Sequence, residues 1–223
     1  MNITDLKNKK NFLQYLISAN YLYKYDLNSQ LEILSQNEKA TYVASKNIWE
    51  KLGNIVDEKA KPIIIDGKEL YDISSLIYKG KSYAWKYDLK YEDKIIKQAK
   101  SEFDIPVAFD TKDLIYSISE SILKDEFSDD FMSRFAIDTT SFITLFRLGY
   151  DPKYIRDERE DVFDKFNNNI SKDDFTNTYA KINETVEYIL DYIKYLTYHF
   201  KRQERLTIKS QEVKQRKYKQ WYW

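Results

Sequence analysis

The stretch Ala40-Thr41-Tyr42-Val43-Ala44-Ser45, followed by Trp49, Gly53 and then Ile63-Ile64-Ile65-Asp66-Gly67-Lys68-Glu69-Leu70-Tyr71-Asp72-Ile73, decides the fold class of this chain. Ile63 to Ile65 is a β-branched run, and Asp66-Gly67 after it is a hairpin signal, because both central residues of the tight turn need positive φ. Leu70 to Ile73 is the expected partner strand. Thr41-Tyr42-Val43 is a further short β-prone piece. Ser45 is placed to cap a helix running through Leu52, and Gly53 to end it in the left-handed conformation. The first half therefore holds a small sheet with helices around it.

Upstream, Leu6, Leu13, Leu16, Ile17 and Tyr21 recur at helical spacing and predict an amphipathic helix from Asp5 to about Tyr25, with Thr4 or Asp5 as its cap. A second helix is predicted over Asn28–Ser35. Lys79-Gly80-Lys81 suggests a turn. Downstream the pattern becomes helical: Tyr91–Phe103, stopped by Pro106; a helix capped by Thr111 and running to about Lys124; and one opened by Thr139 or Thr140 and ending at Gly149. Ser171 and Asp174 form a capping-box pattern ahead of a long helix from Asp173 to at least Phe200, with Tyr179, Ile182, Val186, Ile189, Ile193 and Leu196 as its seam. The expected class is α+β, a small β-sheet with helices in the first half and a helical second half ending in a long C-terminal helix. The expected division is an α+β part over 1–110 and a helical extension over 111–223, packed as one body.

The 223 residues carry 36 basic and 36 acidic side chains and no cysteine. Disulfides, thiolate catalysis and cysteine-based zinc sites are thereby excluded, and a reducing cytoplasm suits the composition. The apolar runs are too short to span a bilayer, and the N-terminus has no signal-peptide pattern, so no membrane association is expected. The zero net charge hides an uneven distribution. Residues 125–174 hold thirteen acidic against seven basic side chains, while residues 201–223 hold eight Lys/Arg against two Glu. An acidic middle thus precedes a basic tail. The lone histidine, His199, lies between Tyr198 and Phe200 with no nucleophile pattern around it. No glycine-rich phosphate loop is present. Acidic runs such as Asp129-Asp130 and Asp157 to Asp161 read first as solvated faces, with Mg²⁺ binding as their alternative. The expectation is a chain that is not an enzyme, with no catalytic residue, no metal and no cofactor.

The order Asn28, Leu31, Ile33, Gln36, Ala40-Thr41-x-Val43-Ala44, Trp49, Gly53-x-x-Val56, Ile63–Ile65 and Tyr71-Asp72-Ile73-Ser74 resembles the N-terminal domain of ArdC-type antirestriction proteins. It is also similar to the module at the front of large helicase and methylase proteins of conjugative elements. A weaker echo of the latter lies at Ser141-Phe142, Leu145 and Arg147-Leu148-Gly149-Tyr150-Asp151. The resemblance implies a small α+β domain that binds single-stranded DNA and protects incoming DNA from host nucleases, in the cytoplasm of a bacterial host. Two features depart from it. Asp57 to Pro62 replaces the glycine-rich turns found before the apolar strand, and the His-Glu-x-x-His metallopeptidase domain of full-length ArdC proteins is missing.

Candidate contacts with nucleic acid or a partner follow from this combination. Asn28 and Gln36 can read base edges or bond local backbone. Thr41 can touch phosphate or pack. Trp49 can stack on a base, although anchoring its helix onto the sheet is the ordinary role of such a residue. Tyr83, Lys86, Tyr87 and Lys90 interleave aromatic and basic groups, as a strand-binding groove does. Arg202, Arg205, Arg216 and Lys217 belong to the basic tail, suited to salt-dependent phosphate contact. The function expected is a non-enzymatic, antirestriction-like accessory protein of a phage or mobile element that binds single-stranded nucleic acid or blocks a host defence nuclease. The alternative is an anti-CRISPR-type inhibitor that binds a nuclease complex by protein contact alone.

Overall fold

The computed structural model describes residues 5–6, 9–78, 87–127, 130–151 and 171–221. Within them the chain forms helix α1 (Lys9–Ala19), α2 (Leu27–Gln36), strand β1 (Val43–Ala44), α3 (Lys46–Lys51), β2 (Ile55–Val56), β3 (Ile63–Ile65), β4 (Lys68–Asp72), β5 (Leu76–Tyr78), α4 (Glu92–Glu102), α5 (Thr111–Leu123), α6 (Asp130–Arg147) and α7 (Lys172–Trp221). The protein is α+β and 66% helical, with its sheet confined to the first half.

The hairpin forms where the Asp-Gly pair predicts it. Asp66 and Gly67 take φ of 50° and 73°, and β3 pairs antiparallel with β4, Ile63 opposite Leu70 and Ile65 opposite Lys68. The positive φ at both positions matches the strand twist, and glycine adopts it without the steric cost a Cβ would bring. Ile63 and Ile65 are buried while Ile64 faces out, the period-two pattern of a half-covered strand. β1 joins the other side of β4, giving the order β1-β4-β3, and β2 pairs separately with β5. β3 is therefore an edge strand. Its one outward pair of backbone groups is closed by a side chain: Gln36 donates to the Ile64 carbonyl at 2.8 Å and accepts from the Ile64 N–H at 2.9 Å. An amide is the right group for this, since it carries a donor and an acceptor side by side and blunts an edge as another strand would.

Several helix boundaries differ from those the sequence predicts. α2 is capped by Asp26, whose carboxylate accepts from Ser29 N–H at 2.9 Å; Asn28 is an exposed residue of the first turn. α5 is capped by Asp110, and Thr111 is its first, fully buried residue. Ser45 stands before α3 without a side-chain cap bond. α1 is shorter than the predicted span and ends at Ala19. Thr139 and Thr140 do not open a helix. They lie in the interior of α6, which begins at Asp130, and their buried hydroxyls, like that of Thr144, find no hydrogen-bond partner among the described residues. At α2 and α5 the competing cap residues lie within two positions of each other, and such ends are set by packing as much as by the cap residue.

α6 is the central helix. Every residue from Phe135 to Leu145 is buried, because α5 packs on one flank and α7 on another. One apolar cluster runs from Leu6 in the N-terminal segment, through Leu114, Ile115 and Phe142, to Leu196 on α7. At its heart Phe12, Tyr15, Phe135, Phe175 and Tyr179 meet ring to ring. A smaller cluster of Ala44, Trp49, Val56 and Leu76 holds α3 onto the two sheets.

A polar hub sits inside the large cluster. Gln30 is fully buried. Its carbonyl oxygen accepts from the Tyr15 hydroxyl at 2.7 Å and from Tyr179 at 3.4 Å, and its amide donates to the Tyr25 carbonyl at 2.7 Å and to that of Leu22 at 3.3 Å. One side chain thus ties together α1, α2, their connection and α7. Burial pushes the Tyr179 phenol up to about 12 and raises Tyr15 as well, above their usual 10.0. The neutral phenol is the form the fold holds, so this stability is intact below pH 10 and lost as pH climbs toward the folded value. The urea midpoint is expected to be level up to about pH 9 and to drop between about pH 10 and 12. Tyr179→Phe should make that drop shallower; an unchanged profile would contradict the assignment.

Candidate nucleic-acid interface

The long helix α7 changes character along its length. Phe175, Tyr179, Ile182, Val186, Ile189, Ile193 and Leu196 alternate four and three residues apart and are all buried. Phe200 continues the seam half-buried, and the next positions, Gln203, Thr207 and Ser210, are polar and exposed. The helix therefore loses its reason to lie on the body at about Lys201. The 50-residue helix nevertheless continues to Trp221, so an arm of about 30 Å extends past the last seam contact.

The opposite side of α7 carries a different stripe. Tyr195, Tyr198, Arg202, Arg205 and Lys209 again alternate three and four apart and are all exposed, Tyr195 by 64%. Each lies two residues past a position of the seam line, about 200° round the helix, so the stripe faces directly away from the core. His199 flanks it, stacked on Tyr195 at 6.0 Å and bonded to Gln203 at 2.8 Å. Aromatic faces followed by cations along one helical edge can stack bases and contact phosphates.

Where the arm leaves the body it is clamped. Glu204, on the inward side, receives Lys90 Nζ at 2.6 and 2.8 Å and the Tyr91 hydroxyl at 2.7 Å. Tyr91 stacks on Phe200 at 6.5 Å, and Lys94 lies over both rings. The hydrogen bond from Lys90, then that from Tyr91, lowers the Glu204 pKa, and Glu204 raises that of Lys90. The pair is solvent-exposed and fixes the direction of the helix more than it stabilises the fold.

The other sequence-predicted residues fall into distinct places. The Trp49 indole donates to the Tyr71 carbonyl at 2.8 Å and is 7% exposed, so it pins α3 to β4. Thr41 presents its backbone N–H to Asp72 at 2.8 Å, and the second oxygen of Asp72 accepts from Ser74 N–H at 2.9 Å. Gln36 is committed to β3. These polar groups are thus bonded within the chain, and Gln36, Thr41, Trp49 and Asp72 together tie the flanking segments to this small sheet. Asn28 is exposed in the first turn of α2, at the opposite end of that helix from Gln36. The Tyr87 hydroxyl bonds Thr111 Oγ1 at 2.9 Å, Thr111 in turn donates to Glu92, and burial pushes the phenol up to about 12, so Tyr87 joins α5 to the start of α4. Lys90 has its charge balanced by Glu204. Arg202 and Arg205 are exposed on the arm face with no ion-pair partner among the described residues, and Arg216 and Lys217 lie on the same helix further out. Tyr83 and Lys86 lie outside the described residues.

Arg147, part of the weaker echo, is held by Glu187 at 2.8 Å and Asn20 at 3.2 Å and covers the Tyr23 ring. It joins the ends of α1 and α6 to α7. Gly149 at φ 98° closes α6, as the Arg-x-Gly spacing implies. Among the described residues no group of three or more His, Asp or Glu is arranged to hold a metal ion, and no helix is long and apolar enough to cross a membrane. Of the acidic runs, Asp130 pairs with Arg134 at 2.9 Å, and Asp157 to Asp161 lie outside the described residues. Sequence reading missed three residues that organise this region: Gln30, Asp72 as a bidentate acceptor, and Glu204. Each has one partner distant along the chain: Tyr179 for Gln30, Thr41 for Asp72 and Lys90 for Glu204.

Fold and surface define an α+β protein with a basic, aromatic helical arm. No protein-family model, no curated protein and no solved structure matches the chain.

Proposed function

We propose that this chain is a non-enzymatic accessory protein of a phage or mobile element, antirestriction-like in action in a bacterial cytoplasm, and that it binds single-stranded nucleic acid along the outer face of α7. The observation that supports this reading is the exposed stripe Tyr195, Tyr198, Arg202, Arg205 and Lys209, which begins opposite the last seam contacts and continues onto the arm. A polar helix with no apolar seam gains little from standing alone in water. A polyanion lying along it neutralises like charges at neighbouring turns and releases counterions. Unstacked bases supply the π-faces that Tyr195 and Tyr198 can meet, which a duplex keeps stacked inside.

The test is fluorescence anisotropy of the full chain with a labelled single-stranded oligonucleotide and a matching duplex. The single strand is expected to bind more tightly, with log Kd rising against log salt at a slope of about 2–3, three to four contacts at roughly 0.7 each. No binding at low salt would remove the reading. A second reading, inhibition of a defence nuclease by protein contact, is favoured by a separate surface between α4 and α5.

A further inference from the structure

The connection from α4 to α5 presents two apolar side chains to solvent in a fixed pose. Val107 is 54% exposed and Phe109 86%, while Ile105 and Ala108 between and before them are buried at 6% and 8%. The backbone is held on both sides. Asp104 ends α4 at φ 51°, and Ile105 N–H donates to the Lys100 carbonyl at 3.0 Å. At the other end Asp110 accepts from Asp113 N–H at 2.9 Å, and Asp113 accepts from Phe109 N–H at 3.0 Å, a reciprocal pair of bonds around the start of α5.

Phe109 occupies the position just before the helix cap. An apolar residue there ordinarily folds over the helix onto the residue four places in, forming a hydrophobic staple. That residue is Leu114, which is fully buried in the core, and Phe109 does not cover it. Among the described residues the ring adds nothing to the core, since it is 86% exposed. It is among the most exposed large apolar groups described, and it is presented by a backbone whose hydrogen bonds leave it little freedom.

Its setting is acidic. From Glu102 to Asp113 the chain carries Glu102, Asp104, Asp110 and Asp113 against the single base Lys112. A free nucleic-acid strand would be repelled here, whereas a positively charged protein surface would be drawn in. We propose that the 104–113 segment docks a second protein, with Phe109 and Val107 entering an apolar cleft whose rim is lined by Lys and Arg, the kind of surface that nucleic-acid-handling proteins carry. The backbone that carries them is already ordered, so docking has only the rotamers of two side chains left to fix, and a small aromatic anchor can then dominate an interface. The site is separate from the α7 stripe and stands whether or not that stripe binds a strand.

The experiment uses the full chain, immobilised, in panning of a random-peptide display library against wild type and against Val107→Ser/Phe109→Ser. Both positions are exposed, so circular dichroism and the thermal midpoint are expected to match between the two. Wild type is expected to enrich peptides combining aromatic or aliphatic residues with Lys/Arg. Their affinity should fall about tenfold or more in the double variant, recover with Phe109→Trp, and weaken with salt through loss of the charged rim. Peptides that bind both proteins equally, that are acidic, or that show no consensus would overturn the proposal. Oligonucleotide binding through α7 should be unchanged in Val107→Ser/Phe109→Ser. Its loss there would assign the loop to the strand site and equally refute protein docking, while an absence of oligonucleotide binding in wild type leaves the panning result to decide this site alone.

Discussion

Replacement of Arg202, Arg205 and Lys209 together by glutamate is expected to abolish measurable single-strand binding at physiological salt and to cut the salt slope of any residual binding by about 2, three contacts at roughly 0.7 each. The three side chains stand on the face of α7 turned from the core, so the fold has no use for their charge. Far-UV ellipticity and the thermal midpoint should therefore stay near wild type. Tyr195→Ala with Tyr198→Ala forms the complementary test. It should weaken binding by about 1–3 kcal/mol for each stacked base and leave the salt slope alone, because stacking releases no counterions. Equal affinity of the charge-reversed protein and wild type would eliminate α7 as the binding surface.

The largest expected stability effect comes from a residue with no charge. Gln30→Leu keeps the approximate volume but strands the buried Tyr15 hydroxyl and the partly buried Tyr25 carbonyl, while the Leu22 carbonyl keeps its bond from Tyr25 N–H at 2.9 Å. At about 1–3 kcal/mol for each buried group left without a partner, the loss is expected to reach roughly 2–4 kcal/mol, the partly buried carbonyl counting for less. Urea denaturation followed by fluorescence reads it directly. Gln36→Ala is the contrast: it opens an exposed strand edge to water and should cost about 1 kcal/mol or less. A Gln30→Leu midpoint near wild type would show that the hub is replaceable by apolar packing, as buried polar groups sometimes are.

Some parts of this fold are legible in the order of residues alone. Asp66-Gly67 announces the β3–β4 hairpin because the turn conformation depends on two adjacent residues. The seam of α7 follows from spacing alone, and Ser171 does stand at its start, donating to Asp174 at 2.6 Å and accepting from Asp174 N–H at 3.1 Å. The start of α6 was not legible, because Thr139 and Thr140 look like caps, and only burial between α5 and α7 shows them to be interior. The caps Asp26 and Asp110 each lie within two residues of another plausible candidate, Asn28 and Thr111, and local sequence does not separate them.

The candidate interface divides in a similar way. The basic excess of the tail is plain in the order of residues, as is its helical continuation from the seam. Lys90 also looks like part of a cationic groove, yet its charge is taken by Glu204, 114 residues away. Trp49, Thr41 and Gln36 look like contacts for an external ligand, and their bonds go to Tyr71, Asp72 and Ile64.

By itself the order of amino acids determined the hairpin, the helical second half, the basic arm and the absence of thiol chemistry, because turns, periodicity and local charge depend on residues within a few positions of one another. The tertiary structure alone decided which polar groups are already satisfied and which are left facing outward. That depends on surfaces brought together from distant parts of the chain, and a hydrogen bond to a remote partner leaves no mark on the residues beside it.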